Sequence, residues 1–161
     1  MIWVVYASKH GATEGIARHI AERLRASGRE VEVRAADAAD DLGPPEAVVL
    51  GSAVYAGSWM KEAVAFSERH AGSLSGVPVW LFSSGPLGED VDDEEPQPRQ
   101  LPELEAALSP REHRVFFGAL DRSKLGFAER MIVKAVKAPD GDYRDWDAIA
   151  AWADEIAASL T

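Results

Sequence analysis

Ser8-Lys9-His10-Gly11-Ala12-Thr13 brings two hydroxyls, one glycine and two basic side chains into one short stretch. That mixture suits an anion. It follows the apolar run Ile2-Trp3-Val4-Val5-Tyr6 and opens into Ile16, Ala17, Ile20, Ala21 and Leu24, which recur at helical spacing. The loop therefore stands between a strand and a helix start. Backbone N–H groups at a helix start have no partner within the helix and point outward at whatever lies there. Ser8 and Thr13 add hydroxyl donors, Lys9 and His10 add charge complementarity, and Gly11 lets the backbone come close. The expected ligand is a phosphate group. A Ser-rich strand-to-helix turn is also found as a plain cap, so the rest of the chain must decide.

Neither the G-x-G-x-x-G dinucleotide fingerprint nor the G-x-x-x-x-G-K-[ST] nucleotide loop is present. What is left is the mononucleotide class of doubly wound folds, whose usual tenant is flavin mononucleotide. Two more loops fit that ligand. Within 51–58, Ala53-Val54-Tyr55-Ala56-Gly57 offers Tyr55 to one face of a flavin ring. Gly57 offers a peptide able to turn toward the proton gained on reduction. The third stretch, Ser83-Ser84-Gly85-Pro86-Leu87-Gly88, places closely spaced backbone donors at the ring's polar edge. Trp59 stands just after the second loop as a further candidate wall for the ring.

These loops must be carried by alternating strands and helices. Apolar strand-like runs read Ile2–Tyr6, Glu30–Arg34, Ala47–Leu50, Val77–Phe82 and Arg114–Phe117. Helical periodicity covers Thr13–Ser27, closed by Gly28, then Met60–Ala71, Leu101–Leu108 and a last helix with Trp146, Ile149, Ala153, Ile156 and Leu160 on one face. The alternation predicts an α/β fold: a doubly wound, five-stranded parallel sheet in the order 2-1-3-4-5, with helices on both faces. Its ligand crevice lies outside the carboxyl ends of the strands, where the three loops converge. Trp3, Trp80, Trp146 and Trp152 are expected to be packing residues.

The 161 residues make one domain, 1–161, large enough for a real core. There is no cysteine, which removes disulfides and thiol chemistry and suits a reducing cytoplasm. No signal peptide or membrane span is read, so a cytoplasmic location is expected. Net charge is −10, which argues against nucleic acid as a partner. The charge is uneven: residues 111–137 carry 7 basic and 3 acidic side chains, against 9 and 18 in residues 1–110. The basic segment Arg122–Lys137 is a candidate for peripheral contact with an anionic membrane or a substrate carboxylate. The acidic run Glu89–Glu95 is a candidate for steering a basic redox partner. His19, His70 and His113 have no ligand spacing, so no metal site is expected, and no Ser-His-Asp arrangement is found. A phospho-receiver domain needs an Asp where this chain has Gly51-Ser52.

With Ser8, Gly11 and Thr13 in the pattern of a [ST]-x-T-G-x-T phosphate loop, the chain resembles the flavodoxin fold family. Lys9, Gly118-Ala119-Leu120, the basic Phe127–Lys137 stretch and Asp145-Trp146 make it similar to one branch, the menaquinone-dependent protoporphyrinogen dehydrogenases. His10 stands where the family usually has a hydroxyl, and Ser83–Gly88 lacks the aromatic residue that flavodoxins place there. The resemblance implies flavin mononucleotide as cofactor, with a quinone or porphyrinogen-type small molecule, or a redox protein, as partner. It leaves three readings: a flavin-dependent, quinone-linked dehydrogenase, a noncatalytic electron shuttle, and a cofactor-free interaction module. No catalytic residue and no oligomeric state is assigned.

Overall fold

The computed structural model describes residues 1–9, 11–55, 57–85, 98–116, 119–120, 141–142 and 144–160. Its elements in chain order are β1 (Ile2–Ala7), α1 (Ala12–Ala26), β2 (Val31–Ala35), β3 (Ala47–Tyr55), β4 (Ser58–Trp59) and α2 (Lys61–His70). There follow β5 (Val79–Ser84), α3 (Leu101–Leu108), β6 (Glu112–Phe116), β7 (Ala119–Leu120), β8 (Gly141–Asp142) and α4 (Trp146–Ser159). The main strands are ordered β2-β1-β3-β5-β6, and all of these pairings are parallel. This is the expected order of the five long strands. Two features lie outside that expectation. The short β4 folds back antiparallel on β3, and β7 pairs antiparallel with β8 apart from the main sheet.

Parallel sheets are covered on both faces, so their strands are apolar throughout. Successive residues of β1 show it. Ile2 and Val4 enter one core with Ile16, Ile20 and Leu24 of α1 and Ile149, Trp152 and Ile156 of α4. Trp3 and Val5 enter the other, with Phe66 of α2 and Leu104 and Leu108 of α3. The predicted packing tryptophans Trp3, Trp80 and Trp152 are all buried, whereas Trp146 is 36% exposed. Its ring lies edge-on to His19 at 5.1 Å and under the Arg144 guanidinium at 4.6 Å.

Helix ends follow local chemistry. Gly28, at φ 94°, takes the left-handed position after α1. Its N–H reaches Arg25 O at 2.9 Å, and Arg29 N–H reaches Leu24 O at 3.3 Å, the paired bonds that close a helix on a glycine. At α4, the Asp145 carboxylate accepts from Ala148 N at 3.0 Å and supplies an N-cap.

Two strands run further than the sequence suggests. β3 continues through Gly51–Tyr55 and β5 through Ser83 and Ser84, all expected to be loop. Gly51 is there for packing. A Cβ on it would stand 2.0 Å from the Phe82 ring, so only glycine admits that ring into the sheet.

Candidate functional site

The parallel register aligns the carboxyl ends of β1, β3 and β5 side by side. Ala7 of β1 pairs with Ser52 of β3, and Ala53 pairs with Ser84 of β5. Ala53–Tyr55 therefore project past the end of β1 and form a hairpin with Ser58–Trp59. One glycine with positive φ stands after each of the three strands: Gly11 at 92°, Gly57 at 80° and Gly85 at 102°. An L side chain is disfavoured at all three, so the chain uses glycine to turn at each lip of the crevice.

In the first loop, Gly11 N–H donates to Ser8 Oγ at 3.1 Å, which leaves the Ser8 hydroxyl proton for another acceptor. Gly11 is the residue preceding α1 and has no side chain with which to cap it. Among the described residues, a Cβ placed there meets nothing within 4 Å. Thr13 is buried in the first turn, and Lys9 is exposed. Glu14, an acid in that same turn, would oppose an anion, but it is drawn aside: Arg18 Nε donates to it at 2.9 Å. The Tyr6 phenol also bonds Glu14. Burial first, and then the Glu14 charge, push Tyr6 above its ordinary range, so it stays neutral. Arg144 reaches this end from the other side of the chain, with Nη1 donating to Ala12 O at 3.3 Å. An uncapped helix start with a left-handed glycine fits a phosphate group.

In the second loop, Ala53 is buried, Val54 half-buried, and Tyr55 is 39% exposed at the hairpin tip. Trp59 is 3% exposed and belongs to the core under α2, so it is a packing residue and not an open wall. Its indole N–H donates to Ser83 Oγ at 2.8 Å, and Ser83 Oγ lies 2.7 Å from His113 Nε2. Ser83 Oγ accepts from the indole and shares a proton with His113 Nε2, in the direction set by the imidazole tautomer. The Ser83 hydroxyl is thus held inside, where it ties the third loop to β4 and β6.

In the third loop, Ser83, Ser84 and Gly85 are all buried. Gly85 N–H donates to Phe116 O at 2.8 Å, and a Cβ on Gly85 would stand 3.7 Å from Val54 O, so the second and third loops touch. His10, Ala56, Pro86, Leu87 and Gly88 lie outside the described residues, as do the acidic run Glu89–Glu95 and the segment Arg122–Lys137.

Sequence reasoning missed a brace across the site. Arg99 N–H donates to Gly57 O at 3.0 Å, and Gln100 Oε1 accepts from Trp59 N at 3.0 Å. The start of α3 is thereby fastened to the second loop. The available signal was that Arg99 is the sole lysine or arginine between Arg69 and Arg111. A cavity of about 320 Å³ is lined by Met1, Arg25, Arg29 and Glu30–Glu32 at the amino end of the sheet, away from these loops. Arg25 and Arg29 are already engaged there by Val31 O and Glu46.

The sequence model of the flavodoxin domain family matches residues 3–147. The chain belongs to the flavodoxin domain family. Among known flavodoxin structures, it is similar to one from the domain Archaea, with a TM-score of 0.64 and 15% identity over 99% of this chain and 97% of that one. The oxidised flavodoxin 1 of Bacillus cereus gives a TM-score of 0.59 and 15% identity, covering 99% of each chain. Protoporphyrinogen IX dehydrogenase (quinone) of Escherichia coli strain K12 is 22% identical over 96% of this chain and 93% of that protein. Among the described residues of this flavodoxin-family chain, no helix is long and apolar enough to cross a membrane.

Proposed function

We propose that the chain binds one flavin mononucleotide noncovalently and works in the cytoplasm as a quinone-linked oxidoreductase. The observation that carries the cofactor assignment is the line of three left-handed glycines, Gly11, Gly57 and Gly85, at adjacent strand ends. In this reading the phosphate rests on the Ser8 hydroxyl and the N–H groups of Ala12 and Thr13. Tyr55 covers one face of the ring, and the backbone around Ser84 and Gly85 meets its polar edge. The bound flavin would supply the electron-transfer chemistry, while the protein binds, orients and excludes water.

The enzyme reading draws on two supports. The 22% identical relative is by name a quinone-linked dehydrogenase of protoporphyrinogen IX. Trp59 is committed to the core, and Ser83–Gly88 contains no aromatic residue, so these segments offer only Tyr55 to the ring. An uncovered second face would admit a reductant within reach of the reactive nitrogen, which is the close, oriented approach that two-electron transfer needs.

The test starts with the visible spectrum of the purified protein and identification of any flavin released by heat. Graded reduction is then followed spectroscopically, and turnover is assayed with protoporphyrinogen and a menaquinone analogue. Flavin mononucleotide, little half-reduced cofactor and measurable turnover are expected. A persistent half-reduced fraction without turnover would instead identify a shuttle, and a colourless protein that cannot be loaded would identify a binding module.

A further inference from the structure

The guanidinium of Arg99 differs from those of the other described arginines. Arg18, Arg23, Arg29, Arg34, Arg69 and Arg114 are each paired with a carboxylate. Arg25 and Arg144 bond main-chain carbonyls, and Arg111 lies over the Trp80 ring at 5.2 Å. Arg99 is exposed, and its guanidinium has no hydrogen-bond or ion-pair partner among the described residues. Yet its main chain is held firmly. Its N–H is bonded to Gly57 O, the next residue's side chain is bonded to Trp59 N, and Leu101 N–H closes onto Pro98 O at 3.0 Å.

The side chain is also placed. Its Nε and Nη2 lie 3.8 and 3.9 Å from the point where a Cβ on Gly57 would stand. This sets a cation over the hairpin tip that carries Tyr55, at the rim of the crevice. The chain as a whole carries net charge −10, so a cation at this rim stands out against a negative background. A guanidinium presents paired N–H donors in a planar fork that matches a carboxylate, and such charge-assisted pairs are the strong ones. A neutral quinone head offers it carbonyl acceptors but no charge to pair with.

We propose that Arg99 is a specificity-determining residue of this site, gripping a carboxylate of the reducing substrate at the rim of the crevice. This rests on the flavin oxidoreductase reading above. The anchored main chain keeps the guanidinium close to Gly57, so the carboxylate is received beside the hairpin and the body of the substrate is directed over the open ring face.

The experiment compares a porphyrin dicarboxylate with its dimethyl ester. Mesoporphyrin IX and its dimethyl ester are titrated into flavin-loaded protein, with binding read by porphyrin fluorescence. Flavin affinity is measured separately, and folding is checked by thermal unfolding. Wild type is expected to prefer the diacid by about tenfold or more, the size of a charged hydrogen-bond pair. R99A should abolish that preference, and R99K should restore part of it, both with unchanged flavin affinity. Undiminished preference in R99A, or no preference in wild type, would overturn the proposal while leaving flavin binding intact. A parallel loss of flavin affinity in R99A and R99K would overturn it too, because Arg99 would then serve the cofactor. Wild type that takes up no flavin fails at the earlier step and removes the oxidoreductase reading itself.

Discussion

Gly11 and Gly51 are the same residue type used for opposite purposes. Gly11, at φ 92°, has none of the described residues near its Cβ position, so its backbone conformation is what matters. Gly51 has ordinary strand backbone, and it matters because the Phe82 ring occupies the place of its side chain. A Gly11→Asp variant puts a negative side chain into the phosphate cradle. Its affinity for flavin mononucleotide should fall about a hundredfold or more, read by flavin fluorescence quenching. Riboflavin, which lacks the phosphate, should bind wild type and variant almost alike, and equal wild-type affinity for the two flavins would refute the cradle. Gly51→Ala should leave the cradle intact and cost about 1–3 kcal/mol of stability by overpacking, measured by denaturant unfolding.

The contact between β6 and α4 shows how one strand residue fastens a helix. Trp152 Nε1 donates to Glu112 Oε1 at 2.6 Å, and Arg114 Nε donates to Glu112 Oε2 at 2.8 Å. Burial pushes the Glu112 carboxyl up, but the Trp152 bond, the Arg114 bond and the Arg114 charge together outweigh it and hold it below its ordinary 4.5. A carboxylate depressed on folding stabilises above its unfolded pKa and loses that contribution as pH falls through the folded value. Glu112→Gln should therefore be less stable than wild type at neutral pH, with the gap closing below pH 4.5. The side chain is 38% exposed, so solvent screening limits the ionic part to below about 1 kcal/mol. Trp152→Phe removes the same bond, so its effect and that of Glu112→Gln should be less than additive in a double-mutant cycle. Fully additive losses would mean the two residues act independently.

For the molecule as a whole, the crevice is a product of topology. β1 and β3 are neighbours although β2 lies between them in sequence, and β2 goes to the outer edge beyond β1. The helices leaving β1 and β3 accordingly depart to opposite faces: α1 packs with α4, and α2 packs with α3. In such a topology the ligand crevice lies outside the strand ends between them. A ligand that binds only the folded crevice stabilises the whole domain by linkage. At a hundred times its Kd, flavin mononucleotide should add about 2.7 kcal/mol to the unfolding free energy. Thermal unfolding with and without the cofactor checks this. An unchanged midpoint under saturating flavin would show that no specific folded-state complex forms.

Much of this architecture was readable from local pattern. Leu101, Leu104 and Leu108 share one helical face, and the helix occupies Leu101–Leu108 as expected. Gly28 marked the end of α1 because only a glycine takes its backbone cheaply there. The ends of β3 and β5 were misread for a definite reason. Gly51, Ser52, Ser83 and Ser84 are turn-type residues, and nothing in their own chemistry tells that neighbouring strands will pair with them. Trp59 could equally have lined a pocket. Its place was decided by Ser83 and His113, 24 and 54 residues further along the chain, which give its indole a buried partner. The sequence thus determined the alternation of strands and helices and where α1 ends, because hydrophobic periodicity and glycine backbone preferences act over a few residues. The placement of Arg99 over Gly57, of Arg144 beside Ala12 and of Ser83 inward was decided only by the tertiary fold. Each depends on a contact between segments that no local rule connects.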